Sequence, residues 1–393
     1  MACCRFFLLN TCFALALILA VGGVTDAQAA GSGYRDPLAD LIRDLTAEVV
    51  DAVSDQGAVV QPAQPLQLPR LGPVDHTGLN QPHAGPMALN TLWLESDGRQ
   101  RQVVVYAPPP KLGALAVPDQ PTAAMPLVLV YHTYQGSPAE MMARTHFNAL
   151  AQSAGFVVAY PQALDGLWYS QPRAGVADEA RDVRFTREVI AYLGQHYPID
   201  RQRVYAVGMS NGGMMVHRLA CELGDELAAV ATVAATMGEP VYRQCKSHAP
   251  MPVFMINGTA DPVVQWNGAI GRIGFLFEGD TLVSVPQTVR FWQRHNGCSR
   301  HVESRSVAEG VTEQWYDGCK EQGAVRQWVI EGGGHTWPGD ARDQDGMDSD
   351  KALASLIWKQ VFAGSTTHEV NATQRIWTFL KPYRRAASSV RRP

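Results

Sequence analysis

The 393-residue sequence predicts an α/β fold, a mostly parallel central sheet with helices on both faces. Three observations predict it. Apolar, β-branched runs recur at Leu127–Tyr131, Phe156–Tyr160, Val204–Val207, Ala228–Val233 and Val253–Ile256. Helical patterns at 139–153 and 179–196 alternate with them, the arrangement expected of parallel strands joined by helices. Runs such as Leu127-Val-Leu-Val-Tyr131 are apolar at every position, as in strands buried on both faces. A hydrophobic content of 46% and a charged content of 18% are those of an ordinary globular chain with ample length for a core. No internal repeat is visible.

The first 29 residues have the pattern of an export signal. Arg5 supplies a positive start, Phe13–Val21 a short apolar core, and Ala27-Gln28-Ala29 the small-x-small cleavage pattern, with the cut near Ala29/Ala30. The expected destination is outside the cell or in a periplasm. No other uninterrupted apolar run reaches about 18 residues, so no membrane association is expected after cleavage. Residues 30–86 divide into a helix and a linker. Asp36-Pro37 is a helix-start pair, and Leu38, Leu41, Ile42, Leu45, Val49 and Val53 follow at helical spacing. From 57 to 86 prolines, glutamines and glycines show no periodicity.

A single catalytic domain is expected over 87–381. It opens on two β-like runs, Leu89–Glu95 and Arg101–Ala107, flanking the hairpin signal Ser96-Asp97-Gly98. A proline-rich excursion, 108–126, leads into the first buried run. Residues 382–393 form a basic, solvated tail, with Lys381 beside Arg384, Arg385, Arg391 and Arg392. The formal net charge of −4 argues neither for a nucleic-acid binder nor for an acidic tail, and no nucleic-acid partner is expected.

Cysteine usage agrees with export. Cys3, Cys4 and Cys12 leave with the signal, and Cys221, Cys245, Cys298 and Cys319 remain. Three connectivities are possible, and the sequence-local pairs Cys221–Cys245 and Cys298–Cys319 close loops of moderate length. With no C-x-x-C or His/Cys cluster, neither a metal nor another cofactor is predicted.

The chemistry centres on Gly208-Met209-Ser210-Asn211-Gly212. It follows the run Val204–Val207 and precedes a helical pattern through Met215, Val216, Leu219 and Ala220. Glycines on either side let the chain turn sharply, so that the serine projects beyond the sheet as a nucleophile. On an α/β-hydrolase sheet the acid and then the base follow the serine along the chain. Asp261 ends the run after Val253–Ile256, at the strand end where such sheets present functional residues. Asp280 and Asp317 lie in less strand-like settings. His335 sits in the glycine-rich Glu331-Gly-Gly-Gly-His-Thr-Trp-Pro-Gly339 after Gln327–Ile330. His217 is expected to be structural, and His295, His301 and His368 to be surface residues. The backbone N–H groups of Asn211 and Tyr134 are the expected oxyanion donors. Trp337 and Trp168 are candidates for lining a substrate cleft.

Five blocks occur in one order: His132-Thr-Tyr-Gln-Gly136, Tyr197-Pro-Ile-Asp200, Gly208-Met-Ser-Asn-Gly-Gly-Met214, Gly258-Thr-Ala-Asp-Pro262 and Gly333-Gly-His-Thr-Trp-Pro-Gly339. Together they resemble the polyhydroxybutyrate depolymerase-like esterases, a family that also contains feruloyl and acetylxylan esterases, over residues 87 to 381. The resemblance implies an α/β-hydrolase fold, a triad of Ser210, Asp261 and His335, and a Cys298–Cys319 pair. It does not extend to 31–86. One position departs from the family, which has His-Gly where this chain has His132-Thr133. Threonine lacks the backbone freedom of glycine, which bears on the shape of the oxyanion loop.

The function expected is that of a secreted serine esterase acting on polyhydroxybutyrate-type polyester or oligomers, or on feruloyl or acetyl esters of polysaccharide. A peptidase would use the same triad. A non-catalytic binding shell has only the altered Thr133 loop in its favour. The sequence carries no signal of oligomeric state.

Overall fold

A computed structural model describes residues 89–109, 124–172, 180–245, 247, 249–268, 281–320, 322–340 and 363–385. The export signal, the helix and linker of 30–86, most of the proline-rich excursion, Asp280 and residues 386–393 lie outside the described residues.

Strands β1 (Leu89–Ser96) and β2 (Arg99–Tyr106) form the expected hairpin. Asp97 and Gly98 turn it at φ 51° and 70°, the paired left-handed geometry that matches strand twist. After β3 (Met125–Tyr131) the helix expected over 139–153 is two helices, α1 (Pro138–Thr145) and α2 (Phe147–Ala154). His146 separates them in the left-handed region at φ 51°. In one straight helix Met141 and Phe147 would point about 120° apart. The break lets both be buried, at 1% and 0% exposure.

The chain then alternates as predicted through β4 (Val157–Pro161), α3 (Arg181–His196), β5 (Ile199–Met209), α4 (Asn211–Glu222), β6 (Ala229–Val233), α5 (Glu239–Gln244) and β7 (Val253–Gly258). Helix α6 (Val285–His295), the hairpin β8 (Val302–Ala308) and β9 (Val311–Tyr316), β10 (Val325–Ile330) and α7 (Ala372–Leu380) complete it. Helices α5, α6 and α7 and the hairpin were not expected from the sequence. For α6 a signal exists: Ser284 and Gln287 cap each other's backbone, with a proline in the first turn.

One sheet holds these strands in the order β1-β2-β4-β3-β5-β6-β7-β10-β9-β8. Strands β4, β3, β5, β6, β7 and β10 are parallel, and the strands at both ends are antiparallel. Alternate residues of the central strands enter two cores. Leu127, Leu129 and Tyr131 meet α3, α4 and α6 on one face, and Val128 and Val130 meet α1, α2 and α7 on the other. Both expected disulfides are present, Cys221–Cys245 and Cys298–Cys319. Among the described residues no helix is long and apolar enough to cross a membrane.

Residues 382–385, expected to begin a solvated tail, are tied to β5. The Tyr205 hydroxyl donates to the Tyr383 carbonyl at 2.8 Å, and Arg384 pairs with Asp200 at 2.8 Å.

Glu313 of β9 is fully buried and accepts from Arg305 of β8, Arg326 of β10 and Arg375 of α7. Burial alone would raise its pKa, but bonds from Arg375 and Arg305 outweigh it and hold the carboxyl below its ordinary value near 4.5. A depressed folded-state pKa gives stability that is complete above the unfolded value and is lost as pH falls through the folded one. Glu313→Gln should therefore lose about 3 kcal/mol at pH 7, with the gap to wild type closing in acid. Urea unfolding across the acid range checks this, and a pH-independent gap would remove the ion pairs as its cause.

Candidate active site

Ser210 sits where β5 ends and α4 begins, at φ 56° and ψ −126°. Serine is rarely found there, and the strain costs roughly 1–3 kcal/mol and persists only where the surroundings impose it. They do. The Ser210 N–H donates to the Val233 carbonyl of β6 at 3.0 Å, and its carbonyl accepts from Met214 at 2.9 Å. A Cβ on Gly208 would lie 2.3 Å from the Gly212 carbonyl oxygen, and one on Gly212 would lie 2.3 Å from that of Tyr131. The helix start therefore packs directly on the strands, and only glycine fits at either position.

Asp261 follows β7. Its Oδ1 accepts the N–H groups of Val263 and Val264 at 2.8 and 2.9 Å, and its Oδ2 meets His335 Nδ1 at 2.8 Å. His335 follows β10, which lies parallel beside β7. Backbone bonds from Thr259 to Ile330 and from Ala260 to Gly333 bind the two loops together. The 363–365 segment holds the far side, accepting from Gly334 and His335. A carboxylate accepts from a ring N–H, so the neutral tautomer that bonds Asp261 is the one with its proton on Nδ1 and a lone pair on Nε2. Among the described residues neither Ser210 Oγ nor His335 Nε2 makes a side-chain hydrogen bond.

The backbone of each expected oxyanion donor is aimed by its own peptide unit, in which N–H and C=O point oppositely. For Asn211 that carbonyl is Ser210 O, held by Met214. For Tyr134 it is Thr133 O, which accepts from His132 Nδ1 at 2.7 Å and from Gly136 N–H at 3.0 Å. The residue of this loop in the left-handed region is Gln135, at φ 53°, and not Thr133. The backbone freedom that threonine lacks is therefore not needed at Thr133.

His132 is 1% exposed, and burial pushes its pKa down to about 4. Its Nε2 accepts from Ala163 N–H at 3.0 Å, so the neutral ring ties the loop after β3 to the one after β4. His217 lies in the core, where burial lowers it to about 3 and Nδ1 accepts from Trp292 Nε1 at 3.2 Å. His301 and His368 are exposed, and His295 Nε2 meets the Ala249 carbonyl at 3.0 Å. Asp317 is exposed beyond β9.

Both tryptophans expected in a cleft are buried, each 1% exposed. Trp337 packs on Phe147 and donates to Thr373 of α7, so it belongs to the core beneath the His335 loop. Trp168 lies against Tyr131 and His132, and Nε1 donates to the His132 carbonyl at 3.0 Å. Neither ring offers the exposed face that substrate stacking would need.

Sequence reasoning missed the groups around Trp168. The Asn211 amide bonds both the N–H and the carbonyl of Trp168, at 2.9 and 3.2 Å. Asp182 accepts from Tyr169 N–H at 2.8 Å and pairs with Arg101 at 2.8 Å, with both side chains 1% exposed. The available signal was a charge set in an apolar pattern, with Arg101 ahead of Val103–Tyr106 and Asp182 ahead of Val183. Among the described residues no three His, Cys, Asp or Glu side chains gather as a metal cluster.

A parallel sheet with antiparallel ends, and a serine elbow, acid and histidine leaving β5, β7 and β10 in that order, define an α/β-hydrolase. Within that class the chain belongs to the esterase family of PHB depolymerase and the feruloyl and acetylxylan esterases, and is a carboxylic ester hydrolase. The family model for esterase PHB depolymerase matches residues 113–274. NocK of Nocardia uniformis subsp. tsuyamanensis, an esterase by provisional assignment, is 34% identical over 259 residues, 62% of this chain and 72% of NocK. Feruloyl esterase B of Piromyces equi is 30% identical over 220 residues, 54% of this chain and 40% of that protein. The chain thus spans less than half of the latter. Among solved structures, an acetyl xylan esterase from Aspergillus awamori matches with a TM-score of 0.47 at 13% identity, covering 68% of this chain and 98% of that one.

Proposed function

We propose that this protein is an exported serine esterase that cleaves feruloyl or acetyl esters of polysaccharide through a Ser210 acyl-enzyme. The carrying observation is the 2.8 Å contact of His335 Nδ1 with Asp261, beyond the same C-terminal end of the parallel strands as a serine held at φ 56°. His335 Nε2 takes the Ser210 proton as Oγ attacks the ester carbonyl. The oxyanion forms towards the Asn211 and Tyr134 N–H groups, and the imidazolium returns the proton to the departing alcohol. Water then repeats the sequence on the acyl-enzyme and releases the acid. Asp261 holds the tautomer and stabilises the imidazolium throughout. The segment 1–29 supports export, and the relatives named as feruloyl and acetylxylan esterases support the substrate class.

A fluorophosphonate should add a single adduct, found by mass spectrometry on the peptide bearing Ser210. The unlabelled protein should hydrolyse p-nitrophenyl acetate and release acid from methyl ferulate or acetylxylan. Absence of the adduct would remove the nucleophile, and turnover of peptides alone would replace esterase by peptidase. Faster release from hydroxybutyrate oligomers would move the substrate to the polyester class.

A further inference from the structure

Trp168 joins the two halves of the oxyanion site. On one side its backbone N–H and carbonyl are paired with the side-chain amide of Asn211, at 2.9 and 3.2 Å. On the other, Nε1–H donates to the His132 carbonyl at 3.0 Å, and the indole lies against the His132 ring with centroids 5.0 Å apart. His132 in turn fixes the Thr133 carbonyl, and with it the plane that carries the Tyr134 N–H. The segment around Trp168 has no regular secondary structure of its own, yet its position is specified on every side. The next peptide unit is held by Asp182, which accepts the Tyr169 N–H at 2.8 Å. Arg218 of α4 donates to the Tyr169 carbonyl at 2.7 Å. Asp182 is itself locked by Arg101, whose guanidinium lies 3.9 Å from the centroid of the Phe185 ring.

Resting on the esterase reading, we infer that Trp168 is a positioning residue that sets the separation between the Asn211 and Tyr134 donors. The two donors belong to different segments, the start of α4 and the loop after β3. Trp168 is bonded to both segments through groups that do not depend on substrate. Oxyanion donors act only when preorganised for the charge that develops in the transition state. Loosening their spacing should therefore cost turnover without costing ground-state binding.

Trp168→Phe keeps an aromatic ring in the core and removes the indole N–H together with the volume of the second ring, a loss of packing that Trp292→Phe shares. Its kcat, counted per fluorophosphonate-titrated site so that misfolded protein does not contribute, should fall about ten- to hundredfold, with KM within about twofold. Its affinity for a trifluoromethyl ketone, which places an oxyanion in the same site, should fall by the same factor as kcat/KM. Trp292→Phe is the comparison. It loses an equally buried indole bond, to His217, and should lower the melting temperature with kcat and ketone affinity unchanged. If Trp168→Phe does not fold, Asn211→Asp severs the clamp from the other side, because its second oxygen then faces the Trp168 carbonyl. The same kinetic signature is expected of it. Unchanged ketone affinity in the folded variant, or a loss shared by Trp292→Phe, would overturn the inference. An unlabelled and inactive wild-type protein would instead overturn the esterase reading beneath it.

Discussion

Ser210→Ala is expected to lower ester hydrolysis by about a millionfold while leaving the fold intact. The alanine methyl occupies space the serine Cβ already fills, and no side-chain hydrogen bond of Ser210 is lost among the described residues. The backbone at φ 56° is equally strained for alanine, so stability should barely change. Oxyanion donors and substrate binding remain, and a background of about a thousandfold over water should survive. Steady-state hydrolysis of p-nitrophenyl acetate alongside thermal melting separates the two effects. A variant that is folded and still turns over within tenfold of wild type would exclude Ser210 as the nucleophile.

Asp261→Asn should reduce kcat by about ten-thousandfold through the tautomer of His335. The two oxygens of Asp261 do different work. Oδ1 receives two backbone N–H groups, from Val263 and Val264, so an asparagine must put its carbonyl oxygen there. Its NH2 then faces His335 Nδ1, which must accept rather than donate. The ring proton moves to Nε2, and the base has no lone pair to offer Ser210. The turn at 261–264 is preserved, so the loss should appear in kcat with little change in melting temperature. A loss below about tenfold would show that Asp261 does not orient the base.

The strands were legible because burial on both faces leaves unbroken apolar runs, and the elbow because glycines flank a serine between strand and helix. Asp261 and His335 were legible as residues at strand ends. What escaped depends on contacts between distant segments. Trp168 and Asn211 are 43 residues apart, and neither pattern announces the other. Trp337 shows the reverse error. Two positions from His335, its ring turns into the core because α7 presents Thr373 to its N–H and α2 packs Phe147 against it at a steep angle. Helix α2 was read as continuous with α1 because a single left-handed residue, His146, leaves no mark on apolar spacing. The β8–β9 hairpin was missed because β8, Val302–Ala308, is largely solvated and carries almost no apolar alternation.

That hairpin changes what kind of strand β10 is. Without it, the strand carrying His335 would be the rim of the sheet, with one row of backbone groups open to water and free to fray. With β9 paired along Val325–Ile330 and Glu313 clamping β8, β10 and α7, the strand is interior on both sides. Peeling β10 away requires breaking two ladders at once, so the histidine is carried by a part of the sheet that opens only when much of the sheet opens. Fluctuation is moved outward to β8, where no group of the site resides.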